Sequence, residues 1–222
     1  QVVPNRTSQY TNAGAALPAL KSRQLELGLK GTRAALDWQL AAFRIHRPMS
    51  NLDACARLGL SPCLGAYDGE AVHQGLEASA QWTTGRWRLG GGVTLLDAKR
   101  QGSQAEPAVN GQRATNVPAT VLRARAAWKV PAVPGLELQG VLSHEGSRKV
   151  LPDGSISLPA WTRADAALRY DTRIGGATAT WSLGIDNLLN RSYWRESPYQ
   201  FGHVYLYPGA PRTARITFSA AL

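Results

Sequence analysis

The chain has 222 residues, 44% of them hydrophobic, and a formal net charge of +10, with Arg supplying 20 of its 25 basic residues. No run of 18 or more apolar residues occurs, which excludes a membrane-spanning helix; a mean hydropathy of −0.24 fits a soluble protein and equally a barrel in which only every second residue meets lipid. A basic balance invites nucleic acid, but the Arg residues come one or two to a segment, with no basic helix and no basic run longer than two, so no nucleic-acid partner is expected.

Read for period-two alternation, the chain contains nine strands near residues 22–30, 33–46, 72–83, 86–99, 119–129, 136–147, 159–171, 178–187 and 211–222. The connections alternate in length. Short turns rich in Gly and Pro fall at Lys30–Thr32, Thr84-Gly85, Pro131–Gly135 and Thr172–Gly176. Long connections run roughly over 47–71, 100–118, 148–158 and 188–210. The last strand shows the pattern most plainly: Ala214, Ile216, Phe218, Ala220 and Leu222 share one face, and Arg215, Thr217 and Ser219 the other. The same parity puts Glu26, Asp37, Glu77, Arg88, Arg123, Arg125, Asp165 and Arg169 on the polar face. That placement matters, because Arg or Lys on a lipid-facing position at mid-bilayer costs roughly 2–4 kcal/mol.

Five aromatic residues fall on the apolar parity beside the short turns: Trp82, Trp87, Trp128, Tyr170 and Trp181. A soluble sheet spreads its aromatics along the buried face, whereas these collect at one edge, as a membrane-interface girdle does. The expected fold is therefore all-β, an antiparallel up-and-down transmembrane β-barrel segment with short turns on one side and long loops on the other. Nine strands leave two edges, and unpaired backbone cannot face lipid. One curved antiparallel sheet, or a small strained barrel with a seam, is expected.

Cys55 and Cys63, the only cysteines, lie eight apart in the first long connection. They are expected to form a disulfide, worth somewhat under about 3 kcal/mol for so short a loop. None of His46, His73, His144 and His203 makes a metal-ligand spacing with them, so no metal is expected. No nucleophile elbow, HExxH or P-loop occurs, and Gly90-Gly91-Gly92 sits inside a strand with no helix after it. No enzymatic activity is expected.

Several segments resemble the end of a TonB-dependent outer-membrane receptor of the ferric-siderophore type. They are Gln24-Leu25-Glu26-Leu27-Gly28-Leu29-Lys30, Ala41-Ala42-Phe43-Arg44-Ile45, Gln74-Gly75-Leu76-Glu77-Ala78 and Asn116-Val117-Pro118 in the first half. Leu158-Pro159-Ala160-Trp161-Thr162-Arg163-Ala164-Asp165, then Asp186-Asn187-Leu188-Leu189-Asn190-Arg191-Ser192-Tyr193-Trp194 and Pro208-Gly209-Ala210-Pro211-Arg212 follow. Each is weak alone, and their order over about 200 residues carries the resemblance. Locally, the Asp186-Asn187 side chains can bond backbone freed where a strand ends, and Pro211 opens the last strand, where a missing N–H does least harm. Such receptors are 22-stranded, plugged barrels, so the resemblance implies that these are strands 14 to 22. Residues 1–21 would be the remnant of an extracellular loop and 22–222 the C-terminal barrel portion, with the plug and its TonB contact outside these residues. The opening Gln1-Val2-Val3-Pro4 has no signal-peptide character, so the chain reads as mature or cut from something longer. It ends in Leu222, where the family usually has an aromatic residue for the barrel-assembly machinery.

The resemblance further implies a multi-pass protein of a Gram-negative outer membrane, taking up a ferric siderophore by coupling to TonB-ExbB-ExbD. No cofactor is implied beyond the Fe(III)-siderophore itself. The aromatic girdle would mark the periplasmic rim, and the loops would lie outside, where basic residues meet lipopolysaccharide and draw in an anionic ligand. The last loop carries Tyr193, Trp194, Tyr199, Phe201, Tyr205 and Tyr207 with Arg191, Arg195 and His203 among them, suited to a flat anionic chelate. Trp194, Arg195 and Tyr199 are the leading candidates for ligand contact, followed by Gln112, Arg113 and Arg148. The alternatives are a receptor for haem, cobalamin or a saccharide, a passive channel or adhesin barrel, and a soluble β-sandwich or lectin-like module.

Overall fold

The computed structural model describes residues 18–51, 65–200 and 202–221. Cys55 and Cys63, residues 1–17, Phe201 and Leu222 lie outside them. Nine long strands form one antiparallel sheet: β1 (Arg23–Arg33), β2 (Leu36–Ser50), β3 (Tyr67–Thr84), β4 (Trp87–Gln101), β5 (Thr120–Lys129), β6 (Leu136–Glu145), β9 (Trp161–Ile174), β10 (Ala177–Asp186) and β15 (Thr213–Ala221). Short strands decorate the long connections: β7 (Arg148–Lys149) pairs with β8 (Ser157–Leu158), β11 (Trp194–Glu196) with β14 (Tyr207–Pro208), and β12 (Tyr199–Gln200) with β13 (His203–Val204). The long strands lie in the order β1-β2-β3-β4-β5-β6-β9-β10-β15. Each pairs with its neighbour in sequence, which is the up-and-down arrangement. Among the described residues β1 and β15 each have one edge without a partner, so the sheet is an arc and the barrel is not closed.

Register aligns the apolar parity across the sheet. Trp87, Trp128, Leu138, Leu168, Leu183 and Ile216 form one continuous row from β4 to β15. This face is bare. Leu27 is 78% and Ile216 74% exposed, and among the described residues no second long sheet packs on it, which argues against the β-sandwich reading. The five turn-side aromatics all lie on this face. Trp87 stacks on Trp128 at 5.7 Å, Trp181 stands opposite Tyr170 and meets Phe218 at 4.5 Å, and Trp82 stands opposite Leu36 and Leu89. Trp38 joins them, with its indole against Gly31.

The opposite face is polar and cross-linked. Arg88 bonds Glu137 at 3.0 Å, Arg125 donates to Gln81 at 2.6 Å, and Thr32 donates to Asp37 at 2.6 Å. Gly90 leaves room for this: a Cβ there would stand 2.7 Å from Arg125 Nε. Among the described residues most of the apolar burial lies at the long-loop end, where Ala71, Ala98, Val109 and Val150 are enclosed, with Ala127 and Ala179 buried nearer the short turns.

Several boundaries differ from expectation, among them the fourth short turn, which is Gly175-Gly176 and not Thr172–Gly176 because β9 runs on to Ile174. The first short turn is Ala34-Ala35, with Ala34 at φ 51°, and not Lys30–Thr32. Gly31 is a strand residue opposite Trp38, so its small size serves packing and not chain reversal. The second and third strands also extend past the expected ends, pairing as far as Ser50 with Tyr67 through an irregularity after Pro48. Pro48 is tolerated because β1 ends opposite His46, leaving no ladder on its other side.

Candidate ligand-binding site

At the long-loop end, three connections meet at one amide. Asn116, held at φ 60°, accepts at Oδ1 from Arg148 Nη1 at 3.1 Å and from the Ser197 N–H at 2.8 Å. Its own N–H donates to the Lys149 carbonyl at 2.8 Å. The connections after β4, β6 and β10 are thereby tied together. Asn is suited to this position because it tolerates the left-handed region at little cost.

Beneath the clasp lies a polar cleft of about 430 Å³, within the size range of small-molecule sites. Arg148 is buried and paired with Glu145, which also takes Arg123 Nη2 at 2.6 Å. The Arg123 guanidinium stands 5.8 Å from the Trp161 ring, and Trp161 stacks on Tyr193 at 4.5 Å. Arg163 bonds Asp165 at 2.9 Å and donates to Tyr193 Oη at 3.5 Å. Arg195 and Glu196 close the rim, paired at 3.2 Å. Four guanidinium groups thus face three carboxylates around an aromatic wall, and the Trp161 indole N–H is buried without an acceptor among the described residues.

Strand parity explains the assembly. Arg123, Ser143, Glu145, Trp161 and Arg163 alternate onto the polar face of β5, β6 and β9, and the last loop folds down over them. Asn187 anchors that loop. It is 1% exposed at φ 52°; its Nδ2 donates to the Arg191 and Ala210 carbonyls at 2.9 and 3.0 Å, and its Oδ1 accepts from the Arg191 N–H at 2.9 Å. The close approach of Tyr193 to Gly209 depends on the glycine, since a Cβ there would overlap the phenol ring.

A second carboxylate fixes the loop after β4. Asp68 accepts from Ser103 Oγ at 2.5 Å and from the Gln104 and Ala105 N–H groups at 2.7 and 3.3 Å. Partial burial pushes its carboxyl up, but the Ser103 bond, the two N–H groups and the Arg100 charge outweigh that and hold it below the usual carboxylate range. Asp68 is fourteen residues along β3 from Trp82, past the 9–11 that cross a bilayer.

Of the residues singled out in the sequence, Arg148 and Arg195 come together in this cleft. Trp194 points elsewhere: it lines a separate cleft with Leu142 and Ala164 of the apolar face. Tyr199 pairs with Val204 in the distal hairpin, Gln112 packs its carboxamide near Gly154, and Arg113 bridges to Lys99. Asn116, Arg123, Glu145, Trp161, Arg163 and Tyr193 were not singled out as ligand contacts. The signal for three of them was parity, because Arg123, Trp161 and Arg163 alternate onto the polar side of strands already legible.

A polar-lined arc with a bare apolar face, short turns at one end and packed loops at the other is a portion of a membrane β-barrel wall. Residues 3–188 match the family model described as TonB dependent receptor-like, beta-barrel, and the chain belongs to that family. It is 31% identical over 210 residues to the ferrichrome receptor FcuA of Yersinia enterocolitica, covering 94% of this chain and 26% of that protein. The ferric preacinetobactin receptor BauA of Acinetobacter baumannii superposes with a TM-score of 0.80 at 30% identity, covering 98% of this chain and 32% of that one. The ferric yersiniabactin uptake receptor FyuA of Yersinia pestis shares the fold, with a TM-score of 0.72 at 19% identity over 91% of this chain and 30% of its own. The chain therefore spans about a quarter to a third of the length of these relatives.

Proposed function

We propose that this chain is the C-terminal barrel wall of an outer-membrane receptor of a Gram-negative bacterium that takes up a ferric siderophore, with energy delivered through TonB-ExbB-ExbD to a plug outside these residues. The observation that carries this reading is the cleft of Arg123, Arg148, Arg163 and Arg195 against the Trp161–Tyr193 stack, which opens on the polar face below the clasped loops. Guanidinium groups supply charge and directed N–H donors to oxygen ligands of a chelate, and the aromatic wall takes its flat parts. The relatives named as receptors for ferrichrome and ferric preacinetobactin support the iron-chelate class. The polar face would surround the plug, the apolar face would meet lipid, and Trp82, Trp87, Trp128, Tyr170 and Trp181 would lie at the periplasmic interface.

The test is growth under iron limitation on a panel of defined siderophores, comparing a strain carrying the intact gene with its deletion. Growth lost on at least one siderophore, and regained on complementation, is expected. Equal growth across a broad panel refutes the iron assignment, and leaves haem, cobalamin or a saccharide to be tried in the same strains.

A further inference from the structure

The polar face carries a column of cations that starts in the inner cleft beneath the Asn116 clasp and runs toward the short turns. Register sets its rungs. Gln39, Ser79, Gly92, Arg123, Ser143 and Arg163 stand in one row across β2 to β9. Arg125, opposite Gly90 and Val141, stands one row nearer the turns, and Arg88, opposite Ala127, one row beyond that. Successive rows on one face are about 7 Å apart. Lys129 continues the parity to the end of β5. Between Arg123 and the short turns neither β4 nor β5 carries an acidic residue, whereas β2 carries Asp37, β6 carries Glu137, and β9 carries Asp165 and Asp171.

Beside this column the wall is hollow. Gly90 and Gly92 place no side chain on the polar face of β4, and Ser79, opposite Gly92, is small. The hollow has a volume of about 950 Å³, and its lining includes Ser79, Gln81, Gly90, Gly92, Arg123 and Arg125. Arg123 also lines the inner cleft, so the two spaces adjoin at its side chain. The three guanidinium groups differ in what holds them. Arg123 is tied to Glu145 at 2.6 Å and Arg88 to Glu137 at 3.0 Å. Arg125 has no ion pair among the described residues: it lies across Gly90 and donates to Gln81 Oε1 at 2.6 Å. An arginine bonded to a neutral amide exchanges that partner for an anion at less cost than one that must leave a carboxylate.

We infer that the β4–β5 sector is the path by which an anionic ferric chelate descends from the inner cleft, passed from Arg123 to Arg125 across the Gly90–Gly92 hollow, once the plug moves aside. The inference rests on the uptake reading above, and adds to it which part of the wall lines the passage and what charge the cargo carries. A cargo leaving a tight site needs sites in series that are each weak enough to leave. Arg125 is such a site, with one cation over one open hollow, and the cations nearer the turns keep the potential favourable to an anion.

The experiment uses the intact receptor in iron-starved cells and radioiron-labelled chelates: ferric citrate and ferric enterobactin, which are anions, and ferrichrome, which is uncharged. Initial uptake rates are read beside equilibrium binding to the same cells without energy. Arg125→Glu should lower the maximal uptake rate of an anionic chelate about tenfold or more, the low end for guidance of an ion by a charged surface, with the binding constant unchanged. Arg125→Lys should restore most of the rate. Ser79→Trp, which fills the hollow, should also slow uptake at unchanged binding, and Ser182→Trp, on the polar face of β10, should not. Exclusion of vancomycin reports whether the plug stays seated, and should be unchanged in every variant. Wild-type rates in Arg125→Glu or in Ser79→Trp overturn the inference. So does an equal loss for ferrichrome, or entry of vancomycin, in Arg125→Glu, since either assigns Arg125 to holding the plug. Wild-type uptake of ferrichrome alone overturns the anionic cargo, and uptake of none of the three chelates by wild type removes the uptake reading and this inference with it.

Discussion

Replacing Asn187 by Ala removes two donated and one accepted hydrogen bond that hold the start of the last loop. All three are buried, because the side chain is 1% exposed. At about 1 kcal/mol each, their loss costs about 3 kcal/mol. The residue is at φ 52°, which Asn tolerates and Ala does not, adding roughly 1 kcal/mol. The loop covering the inner cleft should therefore open about 4 kcal/mol more easily, close to a thousandfold in local opening equilibrium. Hydrogen exchange of the intact receptor, followed in peptides from residues 188–212, measures this directly. Asn187→Gly separates the two contributions, since Gly restores the backbone conformation and not the bonds. It should recover about fivefold of the thousandfold, the equivalent of that roughly 1 kcal/mol. Exchange within threefold of wild type in the Ala variant, with barrel-strand exchange unchanged, would refute the anchoring argument.

Asn116→Ala should free the connections after β6 and β10 together, raising exchange in residues 146–160 and 188–212 in one step, because Arg148 and the Ser197 N–H lose the same acceptor; a change in one loop alone would contradict the clasp. Asp68→Asn should loosen residues 102–110 at pH 7, since a neutral amide is a weaker acceptor for the Ser103, Gln104 and Ala105 donors. In wild type the folded carboxyl titrates below its usual value of 3.8. Its stabilisation is therefore fully present above 3.8 and lost only as the pH falls through the lower folded value. A limited-proteolysis profile of wild type that changes between pH 7 and 5 at this loop would argue against that sign. Val93→Arg, on the apolar face of β4 and six residues from Trp87, should cost about 2–4 kcal/mol in urea unfolding of the vesicle-inserted receptor, and Thr94→Arg, on the polar face, far less. Equal costs would mean that the two faces are misassigned.

The nine long strands were legible because the arc's two environments impose period two on every strand, and because turns and loops alternate in length. The first hairpin shows the limit of that reading. Gly31 looks like a turn residue but makes room for Trp38, while the turn falls on Ala34, a residue with no turn preference, held at positive φ by the register of the flanking strands. The short strands of the loops left no periodic trace, since two or three residues cannot show one. Their placement depends on contacts such as Ser197 with Asn116, 81 residues apart. Arg148 and Arg195, singled out by charge and loop position, both line the inner cleft. Trp161 and Tyr193 form a stack only once a strand and a loop 32 residues further on are brought together, and no local pattern announces it. Trp194 was singled out as an aromatic in a basic loop, but its parity in β11 turns it to the outside of the wall, one residue from Arg195 on the inside.

The single amide of Asn116 has a consequence for how such receptors diversify. With three surface loops sharing one acceptor, grafting one loop from a relative with another specificity would sever bonds made by the two left behind. Productive exchange should move the three segments as a set, so the smallest unit of this end of the sheet that can be swapped intact is a triplet spread over about a hundred residues of sequence.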